Sequence, residues 1–178
     1  MLPDVLTFRS ATSDDLPAVV ALVNSAYRGD ASRAGWTTET DLVGGPRADV
    51  AMLQADIEQP GSRIVLAEAV GEILGCAHVT RISGTAAYFG LFAVRPTTQG
   101  NGIGRRLLAE AERVAREEWQ LAELTMTVLD ARPELLAYYG RRGYRPTGDL
   151  EPFPPADADM IEILRDGLQL VVLSKDLA

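Results

Sequence analysis

Apolar positions recur along this chain with two different periods. Residues 5–11 ("VLTFRSA") alternate apolar with polar, the pattern of a half-buried strand. Leu16, Val19, Val20, Val23 and Tyr27 then fall on one helical face, with Thr12 or Ser13 as the N-cap. A second helix is expected over residues 47–58, carrying Val50, Leu53 and Ile57 and ended by "QPGS". Residues 63–69 and 73–82 read as two strands of a hairpin about the turn Val70-Gly71-Glu72. "AAYFGLFAV" (86–94) is apolar on both faces, as at the centre of a sheet. The helical stripe returns over 102–118 in Ile103, Leu107, Leu108, Ala111, Val114 and Ala115. A strand follows at 121–129, then a short helix opened by Pro133 and stopped near Gly143. Residues 149–167 are turn-rich, and "LQLVVLSK" closes as a last strand. Hairpins mixed with helices predict an α/β (mixed α+β) fold around a mixed sheet, with 1–178 as a single domain. The polar stretch 28–47 is long for a loop, which in compact proteins often signals function.

Composition narrows the partners. At 47% hydrophobic and 24% charged residues the chain has the make-up of a soluble protein. No apolar run is long enough to span a bilayer, and the start resembles no secretory signal, so a cytoplasmic location and no membrane partner are expected. One cysteine, Cys76, excludes an internal disulfide. A net charge of −8 argues against nucleic acid as a partner. One histidine and one cysteine leave only carboxylates to hold a metal, and no metal-binding spacing occurs, so none is expected.

The chemistry concentrates in "RPTTQGNGIGRR" (95–106). Gly100, Gly102 and Gly104 alternate between a buried-type strand and an amphipathic helix. Such a loop leaves backbone amides aimed at a site beyond the helix N-terminus, where the dipole also favours an anion. Arg105 and Arg106 occupy the first turn, and Glu117 and Glu118 the far end, the reverse of the self-stabilising order. A bound polyanion would compensate. A Walker loop needs Gly-Lys-Ser/Thr, which is absent, and a dinucleotide fingerprint has a different glycine spacing near the start of its fold.

The segment "LFAVRPTTQGNGIGRRLL" resembles motif A of the GNAT superfamily of acyl-CoA-dependent N-acetyltransferases, and "ELLAYYGRRGY" resembles its later Tyr-x-x-x-Gly-aromatic helix. The resemblance implies a twisted mixed sheet with splayed central strands, flanked by about four helices. It implies acetyl-CoA as cosubstrate, its pyrophosphate on Gln99, Gly100, Asn101, Gly102, Ile103, Gly104 and Arg105. Pantetheine would pair with the main chain of Phe92, Ala93 and Val94, adding a strand to the sheet. The reaction implied is direct attack by a primary amine, on a small molecule or peptide, at the acetyl thioester. Tyr139 aligns with the general acid of the family, with Tyr138 as packing. Some relatives carry a glutamate where this chain has Tyr88, which is left to order a water, and Glu39, Asp41, Glu68 and His78 are further candidates for the base. The acceptor is expected against the first two helices and their loop, near Tyr27, Arg28, Trp36 and Glu39. Arg28 and Arg33 would suit a carboxylate on it, Glu39 and Asp41 its amine. Asp130 is expected to cap the helix at Pro133. The missing strand carboxylate keeps a non-catalytic acyl-CoA sensor as the alternative function. A homodimer is admissible.

Overall fold

A computed structural model of the chain describes residues 5–28, 32–35, 38–154 and 161–178. Its elements in order are β1 (Thr7–Ser10), α1 (Leu16–Tyr27), β2 (Val43–Gly44), α2 (Val50–Glu58), β3 (Ser62–Ala69), β4 (Glu72–Arg81), β5 (Ala86–Val94), α3 (Ile103–Arg113), β6 (Glu123–Leu129), α4 (Pro133–Gly140), β7 (Arg145–Pro152), β8 (Glu162–Ile163) and β9 (Gln169–Asp176). A seven-stranded sheet runs β1-β3-β4-β5-β6-β9-β7, and β2 pairs with β8 in a separate ribbon. Every pair in the large sheet is antiparallel except β5 with β6. The α/β class read from the sequence is the one observed.

The sheet buries both faces. Leu107, Leu108, Ala111, Leu135 and Tyr144 pack on one side with Val79, Phe89 and Met126, so α3 and α4 cover that face. Leu16, Val19, Val23 and Leu53 pack on the other with Ile64, Leu66 and Cys76, so α1 and α2 cover it. Val50, expected on the inner side of α2, is its first residue and is exposed; Leu53 carries the contact. The α2 start is set by Asp49, whose carboxylate accepts the Met52 amide at 2.8 Å. The stripe of 102–118 is one element in two windings, α-helix to Arg113 and then a wider π turn over Val114–Glu118.

Two expectations fail for stated reasons. Residues 149–152 belong to β7 rather than to a turn-rich tail. Every residue of β7 is exposed, so no apolar alternation marks it, and Pro146 and Gly148 sit at a register shift against β9. The ladder with β9 makes the strand, which no local pattern reports. Similarly, strict alternation along 86–94 predicts Tyr88, Gly90 and Phe92 on one face; Tyr88 and Gly90 share it, and Phe92 departs to the face of Phe89. Leu91 takes a positive φ of 47°, and the β4–β5 register slips between Cys76 and His78. This bulge turns Leu91 and Ala93 toward α1 and Phe92 and Val94 toward α3.

Thr12 is the cap at the entrance to α1, across a short 3-10 turn Ser13–Asp15. Its amide donates to Asp15 at 2.8 Å, and Arg9 of β1 grips the same carboxylate at 2.7 Å and Glu68 of β3 at 2.6 Å. The Arg9 hydrogen bonds hold the Asp15 carboxyl well below the ordinary carboxylate range. A depressed folded value adds stability above the unfolded pKa and loses it as pH falls through the folded one. Asp15→Asn should therefore cost about 1 kcal/mol at pH 7, the usual worth of an N-terminal cap. The gap to the parent should narrow below about pH 4. Denaturant melts at several pH values test this; a gap that is constant with pH would assign the loss to packing.

Candidate active site

The site begins where β5 and β6 part. They pair only over Ala86–Tyr88 against Glu123–Thr125, whereas β6 stays on β9 from Glu123 to Leu129. Beyond Tyr88 the β6-facing edge of β5 is open. Arg95 donates its amide to Leu74 on the β4 side, so strand alternation turns the Ala93 main chain to β4 also. The main chains of Phe92 and Val94 face the opening. Side chains from that side confirm the direction: the Tyr27 hydroxyl donates to the Phe92 carbonyl in a short bond, and Gln99 Nε2 donates to the Val94 carbonyl at 3.0 Å. Each carbonyl keeps a second lone pair.

The glycine loop lies at the outer end of this edge. Pro96–Thr98 form a 3-10 turn, and Gln99 leads to Gly100 and Gly102 at φ of 87° and 79°. Those left-handed angles, rather than lack of space, require glycine at both positions. Arg106 is the first residue whose amide reaches back into the helix, to the Gly102 carbonyl at 3.1 Å, leaving the amides of Ile103, Gly104 and Arg105 without intrahelical acceptors. Here space decides Gly104: a Cβ would sit 3.1 Å from Phe92 Cζ and 3.4 Å from the Tyr138 hydroxyl.

A cleft of about 330 Å³ results, lined by Phe92, Val94, Gln99, Gly100, Gly102, Ile103, Gly104, Arg105, Tyr138 and Arg142. Of the residues expected here, Ala93 and Asn101 do not line it, the Asn101 amide being spent on the Thr98 carbonyl. The two loop arginines separate. Arg105 faces the cleft, whereas Arg106 donates to the Leu6 carbonyl and lies over Phe8. Sequence reasoning missed Arg142 and took Tyr138 as packing. The Arg142 guanidinium stacks 3.4 Å from the Tyr138 ring centroid, Nη1 donates to the Tyr138 carbonyl, and Nε is buried with no hydrogen-bond partner among the described residues. A signal existed in "YYGRRGY", where paired arginines follow the helix.

On the other side a larger chamber of about 600 Å³ lies between α1, the 39–49 segment and the parted strands. Phe92 lines both cavities and so marks where they meet. Tyr139 lines the chamber at 6% exposure, its ring against Phe92, Tyr138 and Tyr144. Burial pushes its phenol well above the ordinary value. Gly143, at φ 94°, turns the chain so that Tyr144 goes under α3 and bonds Glu112 at 2.9 Å, fixing α4 and with it Tyr139.

The other candidates sort by partner. Tyr88 lines the chamber and exchanges a 2.8 Å hydrogen bond with Thr127. Arg28 and Glu39 line it as an ion pair at 2.7 Å, with Arg132 4.0 Å from the same carboxylate. Arg33 and Asp41 pair with each other outside it. Glu68 serves Arg9, and His78 is fixed beneath α2 by Ser62 at 2.6 Å, with Asp56 3.9 Å away. Asp130 does not cap α4: its carboxylate accepts the Gln169 amide, and Arg132 stands at the cap position. Trp36 lies outside the described residues. Among the described residues, no cluster could hold a metal and no helix is long and apolar enough to cross a membrane.

This fold is shared with acetyltransferases of known structure. A GNAT family acetyltransferase from Elizabethkingia anophelis with acetyl-CoA bound is similar at a TM-score of 0.70 and 17% identity, over 97% of this chain and 99% of that one. An IAA acetyltransferase from Bacillus cereus is similar at 0.70 and 15%, over 97% and 99%. Mutant forms of the spermidine/spermine N-acetyltransferase from Vibrio cholerae are similar at 0.67 and 18%, over 97% and 95%. No curated protein sequence matches the chain. The model of the Acetyltransferase (GNAT) family matches residues 23–144. The chain belongs to that family.

Proposed function

We propose that the protein is an acetyl-CoA-dependent N-acetyltransferase that acts on a primary amine by direct attack. The observation that carries this reading is the junction at Phe92 of a phosphate-suited cleft and a separate chamber. A donor threading the cleft would present its acyl end to whatever the chamber holds. The cleft suits coenzyme A on its own features. Free amides at a helix N-terminus and the two cations Arg105 and Arg142 suit a pyrophosphate, and the missing Cβ of Gly104 lets Phe92 and Tyr138 close against the loop to form the cleft wall. The open main chains of Phe92 and Val94 suit the amides of pantetheine. Ala93, turned toward β4, is left out.

The cosubstrate supplies an activated thioester, whose acyl group becomes an amide as the thiolate leaves. A phenol is protonated at neutral pH and burial holds the Tyr139 proton more firmly still, so Tyr139 cannot serve as the base. It lines the chamber, and its Oη hydrogen can pass to the thiolate as it leaves. Among the described residues, both chamber carboxylates are engaged, Glu39 by Arg28 and Asp49 by the α2 cap. The amine therefore arrives deprotonated, in a fraction that rises with pH. Tyr88 and Thr127 offer hydroxyls that can order water beside it, and that water takes the proton the nitrogen sheds as the amide forms.

The direct test is thiol release from acetyl-CoA in the presence of an amine panel. Release that depends on an amine supports the reading; tight binding of acetyl-CoA with no release by any amine would move the protein to the sensor class. Gly104→Val should weaken acetyl-CoA binding by more than about tenfold, because the added carbons push Phe92 and Tyr138 into the cleft. It should also lower the melting temperature, so a melt taken alongside selects the temperature at which the variant is folded. Calorimetry checks it, and unchanged affinity in a folded variant would remove the pyrophosphate from this loop. Tyr139→Phe keeps the ring stack and deletes only Oη. Its kcat should fall roughly tenfold to a thousandfold with little change in KM for acetyl-CoA. Full kcat at every pH would leave Tyr139 as core packing.

A further inference from the structure

The chamber contains one charge that nothing in the fold explains. Of its charged lining residues, Arg28 and Glu39 neutralise each other and Asp49 is spent on the α2 amide. Arg47 differs. Its main chain is clamped by Asn24 of α1, which accepts the Arg47 and Ala48 amides at 2.7 and 3.2 Å and donates to the Ala48 carbonyl at 3.1 Å. Its guanidinium has no carboxylate partner among the described residues and lies 5.8 Å from the centroid of the Tyr27 ring. The hydroxyl of that tyrosine bonds Phe92, at the junction of cleft and chamber. A half-buried cation held by a rigid backbone without a counter-charge is costly unless a ligand completes it.

We propose that the acceptor is an amino-acid-type molecule, a primary amine that also carries a carboxylate, and that Arg47 binds that carboxylate. This rests on the N-acetyltransferase reading above and narrows it. With the carboxylate on Arg47, whose guanidinium lies 5.8 Å from the Tyr27 ring centroid, the rest of the molecule extends past that ring toward Phe92 and Tyr139. Phe89, Leu91, Met126 and Leu135 supply apolar wall for the body of such a molecule. The same inventory disfavours a polyamine, whose several cations need free carboxylates that the described chamber does not offer.

The experiment compares thiol release from acetyl-CoA with the proteinogenic amino acids, their amides, the corresponding decarboxylated amines, and spermidine. For the best amino acid, kcat/KM should exceed that of its amide and its decarboxylated amine by tenfold to a hundredfold, the worth of one charged hydrogen-bonded contact. In Arg47→Gln the advantage should vanish through KM, and Arg47→Lys should restore part of it. A retained melting-temperature rise with acetyl-CoA shows that Arg47→Gln is folded. Equal turnover of acids and amides, a preference for spermidine, or an undiminished preference for acids in Arg47→Gln would each overturn the proposal while leaving the transferase reading intact. No thiol release from any amine would overturn the transferase reading, and this acceptor with it.

Discussion

The parallel pairing of β5 with β6 stops after three residues, and the rest of the site depends on that interruption. A sheet that kept the ladder would satisfy every main-chain group and leave no edge for a ligand. Two local causes end it. The bulge at Leu91 bends β5, and β6 is held over its seven residues by the antiparallel β9, so the two strands cannot bend together. The opening costs main-chain hydrogen bonds, and the fold recovers part of the loss with single side chains: Tyr27 on the Phe92 carbonyl and Gln99 on that of Val94.

The same bulge decides what lines each cavity. By moving Phe92 to the α3 side it sets that ring against Phe89 at 5.2 Å and Tyr139 at 6.4 Å, and brings it beside Gly104. One aromatic side chain thereby touches the cleft, the chamber and Tyr139, the proton donor of the proposed reaction. A strictly alternating strand would put the Phe92 ring among α1 residues and away from the cleft. Backbone irregularity and chemical arrangement are here the same fact.

Much of this was legible in the sequence, and the parts that were not share a reason. Apolar periodicity is a local record of burial, so it located α1, the β3–β4 hairpin, β5 and α3. The glycine loop was legible because positive φ and helix-start geometry constrain residue type at fixed spacing. Nothing local marks β7, whose exposed side chains are held only by β9. Nothing local marks the bulge either, since Leu91 is an ordinary strand residue whose φ is set by the slip against β4. Asp130 was misjudged for the same cause: its position before Pro133 suggests a cap, but β9 supplies the nearer donor in Gln169.

The arginines show the limit most clearly, because sixteen of them look alike in sequence. Tertiary pairing tells them apart. Arg9, Arg28, Arg33, Arg63, Arg95, Arg113, Arg116 and Arg132 stand in ion pairs with nearby carboxylates. Arg47, Arg105 and Arg142 are in none among the described residues and line the cavities, whereas Arg81, Arg106, Arg141, Arg145 and Arg165 are also in none but line neither. The chain's net charge of −8 therefore describes its average surface and not its site. Paired charges cancel within a few ångströms, whereas an unpaired guanidinium in a low-dielectric cavity keeps its field. An acidic protein can in this way present unpaired cations at its cavities, and the count of charges in the sequence gives no hint of it.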